Sequence, residues 1–262
     1  MIRALFGKFL TGVAQWARYS YNFGIGCSHD CVYCYARGCA LRFKRVENRS
    51  AWSKEVIKES MPEVRKFRGL VMFPSAHDIS PFYLPTAVTQ LKALLECGNK
   101  VLIVSKPHLE CISTLCSEFP SYKSQITFRF TISTFDRKIT KLWERGAPEP
   151  RERFACLQHA FRQGFTTSVS MEPMLGGAQD ALATFHKLVP YVTETIWLGK
   201  MNHINRWGPA TAEVSAACWY IRKMQSDEAI LHLVHRLRHH PQVQWKDSIQ
   251  EVLRNRESSS AR

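Results

Sequence analysis

The chain alternates short apolar runs with amphipathic stretches over most of its 262 residues. The apolar runs are continuous, which is typical of parallel strands that are covered on both faces. The stretches between them have the periodicity of helices. The runs predicted as strands are 19–25, 69–75, 100–105, 125–134, 165–171 and 194–199. This pattern predicts an α/β fold, an open six-stranded parallel βα barrel, which is a partial TIM-type barrel.

Beyond residue 210 the pattern becomes helical, and we expect C-terminal helices after the barrel. Residues 226–228 form a helix start, and an apolar stripe follows up to Pro241. We interpret this helix as a packing element that closes the open side of the barrel rather than as a partner-binding helix. The expected parts are an N-terminal helix or arm at 1–18, the barrel at 19–209, a helical extension at 210–252 and a disordered tail at 253–262.

The lengths of the apolar runs and the distribution of the cysteines indicate the cellular compartment. No run approaches the roughly 18–20 apolar residues that span a bilayer, and the first 20 residues lack the pattern of a signal peptide. The cysteine count of nine is odd, and three of them fall within eight residues. This distribution is typical of one metal site in a reducing compartment. We therefore expect a cytoplasmic protein without membrane association.

Positive charge is concentrated near the cysteine cluster. The formal net charge is +14, and residues 1–68 hold 13 Lys and Arg against 5 Asp and Glu. A basic rim around a reactive centre suits an anionic substrate such as nucleic acid or a nucleotide. An ordinary solvated basic surface explains the same counts equally well. The charge therefore indicates a substrate class without deciding it.

The segment GCSHDCVYCYAR places Cys27, Cys31 and Cys34 in a C-x3-C-x2-C spacing. Three thiolates suit a 4Fe–4S cluster with one iron left open, because a complete cluster takes four ligands. Zinc bound by the three thiolates and His29 is the alternative, although His29 lies within the first spacer and would strain a tetrahedral site. The spacing favours the cluster.

This motif, with an aromatic residue before its last cysteine, resembles that of the radical S-adenosylmethionine superfamily. The wider stretch NFGIGCSHDCVYCYAR is similar to the subgroup of spore photoproduct lyase and its uncharacterised relatives. Further matching segments are HDISP (77–81), SKP (105–107), LWERGAPEPRERF (142–154), MEPML (171–175) and QWKDSI (244–249). The resemblance covers roughly residues 19–250. It implies a 4Fe–4S cluster, S-adenosyl-L-methionine, and reductive cleavage of the latter to a 5′-deoxyadenosyl radical that abstracts hydrogen from a substrate.

The resemblance also implies roles for residues at the strand ends. The metal ligands would be Cys27, Cys31 and Cys34, and the residues expected to bind S-adenosylmethionine are Tyr33, Ser75, Asp78, Ser105, Lys106, Ser133 and Glu172. Tyr33 would lie against the adenine, and Ser75 and Asp78, with His77 as a weaker candidate, near the methionine amino group. Strand-end hydroxyls and carboxylates also serve as ordinary helix caps.

Two further residues of the matching segments, Glu144 and Arg153, are expected either to form an ion pair that fixes their loop or to face the substrate. A surface ion pair is the more common arrangement.

One departure from the lyase pattern concerns the hydrogen-atom donor. The lyase uses a cysteine in the loop after the strand that follows the cluster, whereas residues 69–84 contain no cysteine and Ala76 occupies that loop. We therefore do not expect the lyase reaction, and no catalytic residue is assigned. Cys39 is the further thiol near the cluster. The cysteines expected to be buried and structural are Cys97, Cys111, Cys116, Cys156 and Cys218.

The substrate is the least determined property. Nucleic acid or a nucleotide is favoured, with Trp16, Trp197 and Trp207 available for base stacking or for core packing. A peptide or small metabolite, handled with a protein partner, remains open. A metal-stabilised nucleic-acid-binding protein without catalysis is the alternative from a different class. Radical chemistry would also need a reducing electron donor such as flavodoxin or ferredoxin.

Overall fold

The computed structural model describes residues 11–202, 204 and 211–260. Within this part, the strands are β1 Tyr19–Ser20, β2 Gly24–Ile25, β3 Val56–Ile57, β4 Val71–Met72, β5 Val101–Ser105, β6 Ile126–Thr131, β7 Thr166–Met171, β8 Ile196–Leu198 and β9 Val243–Trp245. The α-helices are α1 Tyr35–Arg42, α2 Arg49–Trp52, α3 Leu84–Glu96, α4 Leu109–Glu118, α5 Arg137–Trp143, α6 Pro150–Arg162, α7 Gly177–Leu188, α8 Ala212–Met224, α9 Asp227–Leu237 and α10 Asp247–Ser260. Short 3-10 turns lie at Gly12–Gln15, Pro120–Gln125 and Val189–Tyr191.

Seven strands form one curled parallel sheet in the order β1-β4-β5-β6-β7-β8-β9. The order follows the chain, as expected when each strand is joined to the next by a crossover connection that returns over the same face. The two edge strands, β1 and β9, are not paired with each other, so the sheet is an open half-barrel. A separate antiparallel pair, β2 with β3, lies between β1 and β4 in the chain.

The six predicted strands are all present, but the sheet has a seventh strand, β9, that the prediction missed. This strand spans three residues, and of these only Val243 is buried. It pairs in parallel with β8 along residues 196–198. Its sequence, VQW, is not a continuous apolar run, so composition alone does not predict a strand here. The pairing with β8 places it in the sheet.

Helix α3 illustrates how local sequence forms the outer layer. Pro85 lies in its first turn, where a missing N–H costs nothing. Its buried positions are Ala87, Leu91, Leu94 and Leu95, which share one face and pack in the main core. Gly98 then adopts φ +73°, a left-handed conformation that ends the helix. Helix α3 thus occupies the amphipathic stretch between the predicted strands 69–75 and 100–105.

The C-terminal helices pack on two different parts of the barrel. Helix α9 buries Ile230, Leu233 and Leu237 in the main core and contacts α7 and α10. Helix α8 instead packs with Val32 and Trp143, next to the cysteine loop. Helix α10 continues to Ser260, so the expected disordered tail does not hold for the residues described there. Of the expected N-terminal helix, residues 1–10 lie outside the described part and residues 12–15 form a single 3-10 turn.

The open side of the half-barrel is crossed by the segment that precedes β1. The carbonyl oxygen of Gly12 accepts a hydrogen bond from Lys246 Nζ at 2.7 Å, and its N–H donates to Asp247 Oδ2 at 3.3 Å. Lys246 and Asp247 directly follow β9, the opposite edge strand. Residues 11–16 therefore bridge the two edges of the sheet. In the described part of the chain, no helix has both the length and the apolar character needed to cross a membrane.

Candidate active site at the strand ends

A cavity of about 460 Å³ lies at the carboxyl ends of the parallel strands. In βα barrels this end carries the ligand site, because the βα loops converge there. The residues assigned from the sequence that line it are Cys27, Cys31, Tyr33, Cys34, Ser75, Asp78, Ser105, Lys106 and Glu172. Ser133 does not line the cavity. Thr131, the last residue of β6 and two residues earlier in the chain, does.

The cysteine loop is held open by backbone contacts. Gly26 has φ +91°, and a Cβ at this position would lie 2.1 Å from the Lys54 carbonyl oxygen, so the chain can pass here only as glycine. The Cys27 N–H donates to the Trp52 carbonyl at 2.9 Å. Cys34 caps helix α1, where its Sγ accepts from the Arg37 N–H at 3.3 Å. Contacts within the chain therefore define the path of the loop without a metal.

All nine cysteines are free thiols. Burial raises the pKa of Cys31 to about 12 and raises the pKa of Cys27 well above its ordinary value. Burial also raises the pKa of Cys34, although the Arg37 N–H opposes the change. Thiols with such pKa values are protonated at neutral pH, and a bound metal would stabilise their thiolates. The three thiols are thus a poor nucleophile set and a suitable metal-ligand set.

A buried ion pair between Glu144 and Arg153 lies against the cysteine loop. Glu144 Oε2 lies 2.6 Å from Arg153 Nη1, and both side chains are almost fully enclosed. Glu144 Oε1 accepts a hydrogen bond from the Tyr33 hydroxyl, and the Glu144 backbone forms a β-bridge with Cys31. Burial alone would raise the pKa of Glu144, but Arg153 holds it below its ordinary value. The ion pair of one of the two sequence interpretations is thus present, but it is buried rather than on the surface, and it contacts the cysteine loop as well as its own segment.

Asp78 connects several parts of the site. Its Oδ2 accepts from His29 Nδ1 at 2.8 Å and lies 3.9 Å from Cys27 Sγ, while its Oδ1 accepts the Lys106 N–H at 2.8 Å. Burial opposes ionisation of Asp78, but His29 and Lys106 hold its pKa below the ordinary range. Asp78 is therefore an anionic group at the edge of the cavity.

His77, the weaker candidate, has a structural position. Its Nε2 accepts the Gly24 N–H at 3.1 Å, and its ring packs against Phe23 and Tyr83. Burial lowers the pKa of His77 to about 4, so the ring is neutral at physiological pH.

Asn22 is a site residue that the sequence analysis missed. Its Oδ1 accepts the N–H groups of Ser75 and Ala76, each at 2.8 Å, and its Nδ2 donates to Ser75 Oγ at 3.0 Å. The side chain thereby shapes the loop after β4. Its position just after the first strand could have indicated this role, since polar residues at strand ends face the ligand end of a barrel.

Two cavity-lining hydroxyls have no hydrogen-bond partner within the described residues. They are Ser105 Oγ and Ser170 Oγ, both buried near the carboxyl ends of β5 and β7, the two strands that flank β6. Buried polar atoms in native proteins are nearly always hydrogen-bonded. These hydroxyls, together with the three thiols on the same cavity, fit a polar ligand next to a metal centre. On this observation, the residues present suit both a cluster and S-adenosylmethionine.

The opposite side of the cavity carries a second ion pair that the sequence analysis did not assign. Lys246 is fully buried, and its Nζ lies 3.3 Å from Glu172 Oε2 and 4.3 Å from the Trp16 ring centroid. Burial lowers the pKa of Lys246 and raises that of Glu172, and each partner partly offsets the other's shift. Glu172 therefore points into the cavity as predicted, but its bound partner is a lysine 74 positions away in the chain.

The tryptophans named from the sequence occupy different positions. Trp16 lines the cavity, whereas Trp197 packs inside the barrel with its ring centroid 6.1 Å from that of Trp16. The Arg129 guanidinium lies over both rings. Trp207 lies outside the described residues. Of the two named tryptophans that are described, Trp16 is therefore the one that lines this cavity.

Comparison with other proteins places the fold. No model of a protein family matches the sequence. A curated relative, the uncharacterized protein ORF301 of Acidianus two-tailed virus, is 30% identical over 166 residues, which are 58% of this chain and 54% of that protein. The match thus spans about half of the relative's length.

Solved structures match over most of the chain. Spore photoproduct lyase complexed with dinucleoside spore photoproduct matches with a TM-score of 0.58 at 14% identity, over 91% of this chain and 78% of that one. SuiB of Streptococcus suis bound to S-adenosylmethionine matches with a TM-score of 0.52 at 9% identity, over 85% of this chain and 48% of that one. The chain therefore has the half-barrel fold of spore photoproduct lyase and SuiB, which confirms the open parallel βα barrel predicted from the pattern of apolar runs.

Proposed function

We propose that this protein is a radical S-adenosylmethionine enzyme. Cys27, Cys31 and Cys34 would hold a 4Fe–4S cluster, and S-adenosylmethionine would bind in the adjoining cavity. The observation that carries the proposal is the position of three free thiols and two unpartnered hydroxyls on one cavity at the strand ends. The fold supports it, because SuiB is bound to S-adenosylmethionine and a variant of spore photoproduct lyase carries bound AdoMet.

The chemistry comes from the bound groups, and the chain positions them. Held by Cys27, Cys31 and Cys34, a reduced cluster would supply the electron for reductive cleavage of S-adenosylmethionine and thereby for hydrogen abstraction from the substrate. The electron would come from a donor of the flavodoxin or ferredoxin type. Asp78 offers a carboxylate for the amino group of the cofactor, and Lys106 offers an ammonium for its carboxylate. The Tyr33 ring, fixed by Glu144, offers a surface for the adenine.

The side of the cavity away from the cysteines would receive the substrate. Trp16, Glu172 and Lys246 lie there, and they offer a planar ring and two charged groups. We propose nucleic acid or a nucleotide as the substrate class. Exposed Arg42, at the end of α1, and exposed Lys44 and Arg45, which follow it, add positive charge to the segment after the cysteine loop. Proteins of this fold bind ligands of either kind: spore photoproduct lyase is complexed with dinucleoside spore photoproduct, and SuiB is bound to the precursor peptide SuiA.

The reaction proposed differs from that of the lyase. Among the described residues, the cavity lining contains no cysteine other than the three proposed ligands, and Ala76 lines it where the lyase-like donor was expected. Nine free thiols suit a reducing compartment, so we place the protein in the cytoplasm.

The proposal is tested by anaerobic reconstitution with iron and sulfide, reduction, addition of S-adenosylmethionine and quantification of 5′-deoxyadenosine by mass spectrometry. We expect product from the parent protein and none from Cys31→Ala. Cys39→Ala is the matched control, because Cys39 is exposed on α1 and does not line the cavity. An intact cluster without product would contradict autonomous turnover and favour a protein that needs a partner, or one that binds nucleic acid without catalysis.

A further inference from the structure

Three different metal-binding side chains converge beside the cavity. The ligand atoms of Cys27, His29 and Asp78 all lie within 4.8 Å of one another. This set differs from the three thiols of the proposed cluster, with which it shares only Cys27. It also differs from a site made of those three thiolates and His29.

The distances suit a small divalent ion. Asp78 Oδ2 is 2.8 Å from His29 Nδ1 and 3.9 Å from Cys27 Sγ, so one carboxylate oxygen faces both other ligands. In a tetrahedral zinc site with bonds of about 2.0–2.3 Å, the ligand atoms lie roughly 3–4 Å apart. Small side-chain movements would therefore centre an ion among the three atoms. Three protein ligands leave a fourth position for water.

The surroundings provide the outer contacts that metal ligands need. His29 is completely buried, and its second ring nitrogen, Nε2, lies 2.9 Å from His108 Nε2. A histidine bound to metal through one nitrogen usually has the other held by a hydrogen bond, which fixes its orientation. Asp78 is held in the same way, since its other oxygen accepts the Lys106 N–H at 2.8 Å. Both non-thiol ligands are thus already oriented toward Cys27.

We propose that the chain without a cluster binds one zinc-class divalent ion through Cys27, His29 and Asp78. The ion site stands on its own geometry. Its consequence rests on the proposed function: because Cys27 can serve only one metal centre, zinc and the 4Fe–4S cluster exclude each other. Zinc-loaded protein therefore keeps the cysteine loop folded and cannot assemble the cluster.

The ion site is tested on the apo protein under anaerobic conditions by titration with Co²⁺, followed by thiolate-to-cobalt absorption, and by competition with Zn²⁺. We expect His29→Ala and Asp78→Asn to weaken Co²⁺ binding by at least about tenfold, as the loss of a ligand or its support does. Cys31→Ala and Cys34→Ala are the matched controls and should bind Co²⁺ like the parent. Asp78→Asn is nearly isosteric, and circular dichroism of each variant reports whether it folds.

The outcomes separate the two proposals. Loss of Co²⁺ binding in Cys31→Ala, or unchanged binding in both His29→Ala and Asp78→Asn, would overturn the ion site in favour of a thiolate site. Iron and sulfide incorporation gives the reverse pattern, lost in Cys31→Ala and kept in Asp78→Asn. Prior zinc loading should block iron uptake in the parent and less so in Asp78→Asn. Failure of the parent to take up iron, with the Co²⁺ pattern intact, would overturn only the proposed function.

Discussion

The cavity has two walls of different construction. The cluster wall, formed by Cys27, Cys31, Cys34, Tyr33 and Asp78, rests on the Glu144–Arg153 pair, whose side chains are 0% and 1% exposed. The far wall, formed by Trp16, Glu172, Lys200, Lys246 and Asp247, contains the Glu172–Lys246 pair, in which the carboxylate side is 20% exposed. One carboxylate is sealed from water, and the other keeps part of its hydration.

The two carboxylates therefore respond differently to burial. The pKa of Glu144 is lowered, because Arg153 outweighs the cost of its burial, whereas the pKa of Glu172 is raised, because burial outweighs Lys246. A sealed ion pair holds a loop in one arrangement, as a site for a fixed metal centre requires. A partly hydrated pair can exchange its partner for a ligand at lower cost. This difference supports our proposal that the rigid wall holds the cofactor and the adaptable wall receives the substrate.

The largest effect should come from breaking the sealed pair. Glu144→Ala leaves the Arg153 guanidinium buried without its carboxylate, and we expect a loss of about 3–5 kcal/mol in the free energy of unfolding. Urea denaturation followed by circular dichroism measures it. Arg137→Ala is the control, since it removes the exposed Arg137–Glu149 pair and should cost about 0–1 kcal/mol. Equal losses in both variants would contradict the contrast between sealed and exposed pairs.

Breaking the far-wall pair should cost less. Lys246→Met removes the partner of Glu172 and the hydrogen bond to the Gly12 carbonyl, and we expect a loss of about 2–3 kcal/mol because Glu172 stays partly hydrated. Hydrogen exchange at residues 11–16 should accelerate in the same variant, since the segment loses its anchor. Lys200→Met, whose ion-pair partner Asp227 is exposed, is the control. A loss as large as that of Glu144→Ala would remove the proposed difference between the walls.

Substitution of one glycine at each wall tests the difference between the walls without changing any charge. At Gly146 an added Cβ would lie 2.2 Å from the Ser28 carbonyl oxygen, against the cysteine loop. Gly146→Ala should therefore cost about 1–3 kcal/mol and lower iron incorporation. Gly12→Ala, on the far side, meets no atom within 4 Å and should cost about 1 kcal/mol from its positive φ alone. Normal iron content in Gly146→Ala would show that the cysteine loop tolerates displacement.

The smallest effect is a difference in pH dependence between Glu144→Gln and Glu172→Gln. The contribution of Glu144 is complete above its ordinary pKa of 4.5 and is lost as the pH falls through its lower folded pKa. Glu172 acts in the opposite sense, because its raised folded pKa makes stability increase as the pH falls toward 4.5. Relative to the parent, Glu144→Gln should flatten the acid-side loss of stability, and Glu172→Gln should steepen it. Chemical denaturation across an acid pH series measures the change in slope of each variant relative to the parent, and changes of equal sign would contradict the assignment.

Much of the fold was predictable because its signals are local. The six predicted strands lie in apolar runs such as 100–105, and α3 has a proline at its start and a glycine after its end. Strand β9 was not predictable in this way, since only one of its three residues is buried. Its place in the sheet depends on hydrogen bonding to the edge of β8.

The candidate site divides along the same line. The spacing of Cys27, Cys31 and Cys34 predicted the proposed metal-ligand set, and short spacers and a glycine turn bring these thiols together in one loop. The resemblance assigned Asp78 and Lys106, and both line the cavity because polar residues at strand ends meet at one end of a parallel barrel. Ser133 was assigned by the same resemblance, but Thr131 lines the cavity instead.

By itself, the sequence determined the barrel class, the cysteine loop and the strand ends at which ligands bind, because each depends on residues close together in the chain. Only the tertiary structure decided that Glu144 and Arg153 are sealed beneath the loop and that Lys246 meets Glu172 and Gly12 across the open seam. It also brought His29 and Asp78 to Cys27. Such partners lie up to 234 positions apart. Their pairing depends on burial and on how the sheet curls, which no short segment encodes.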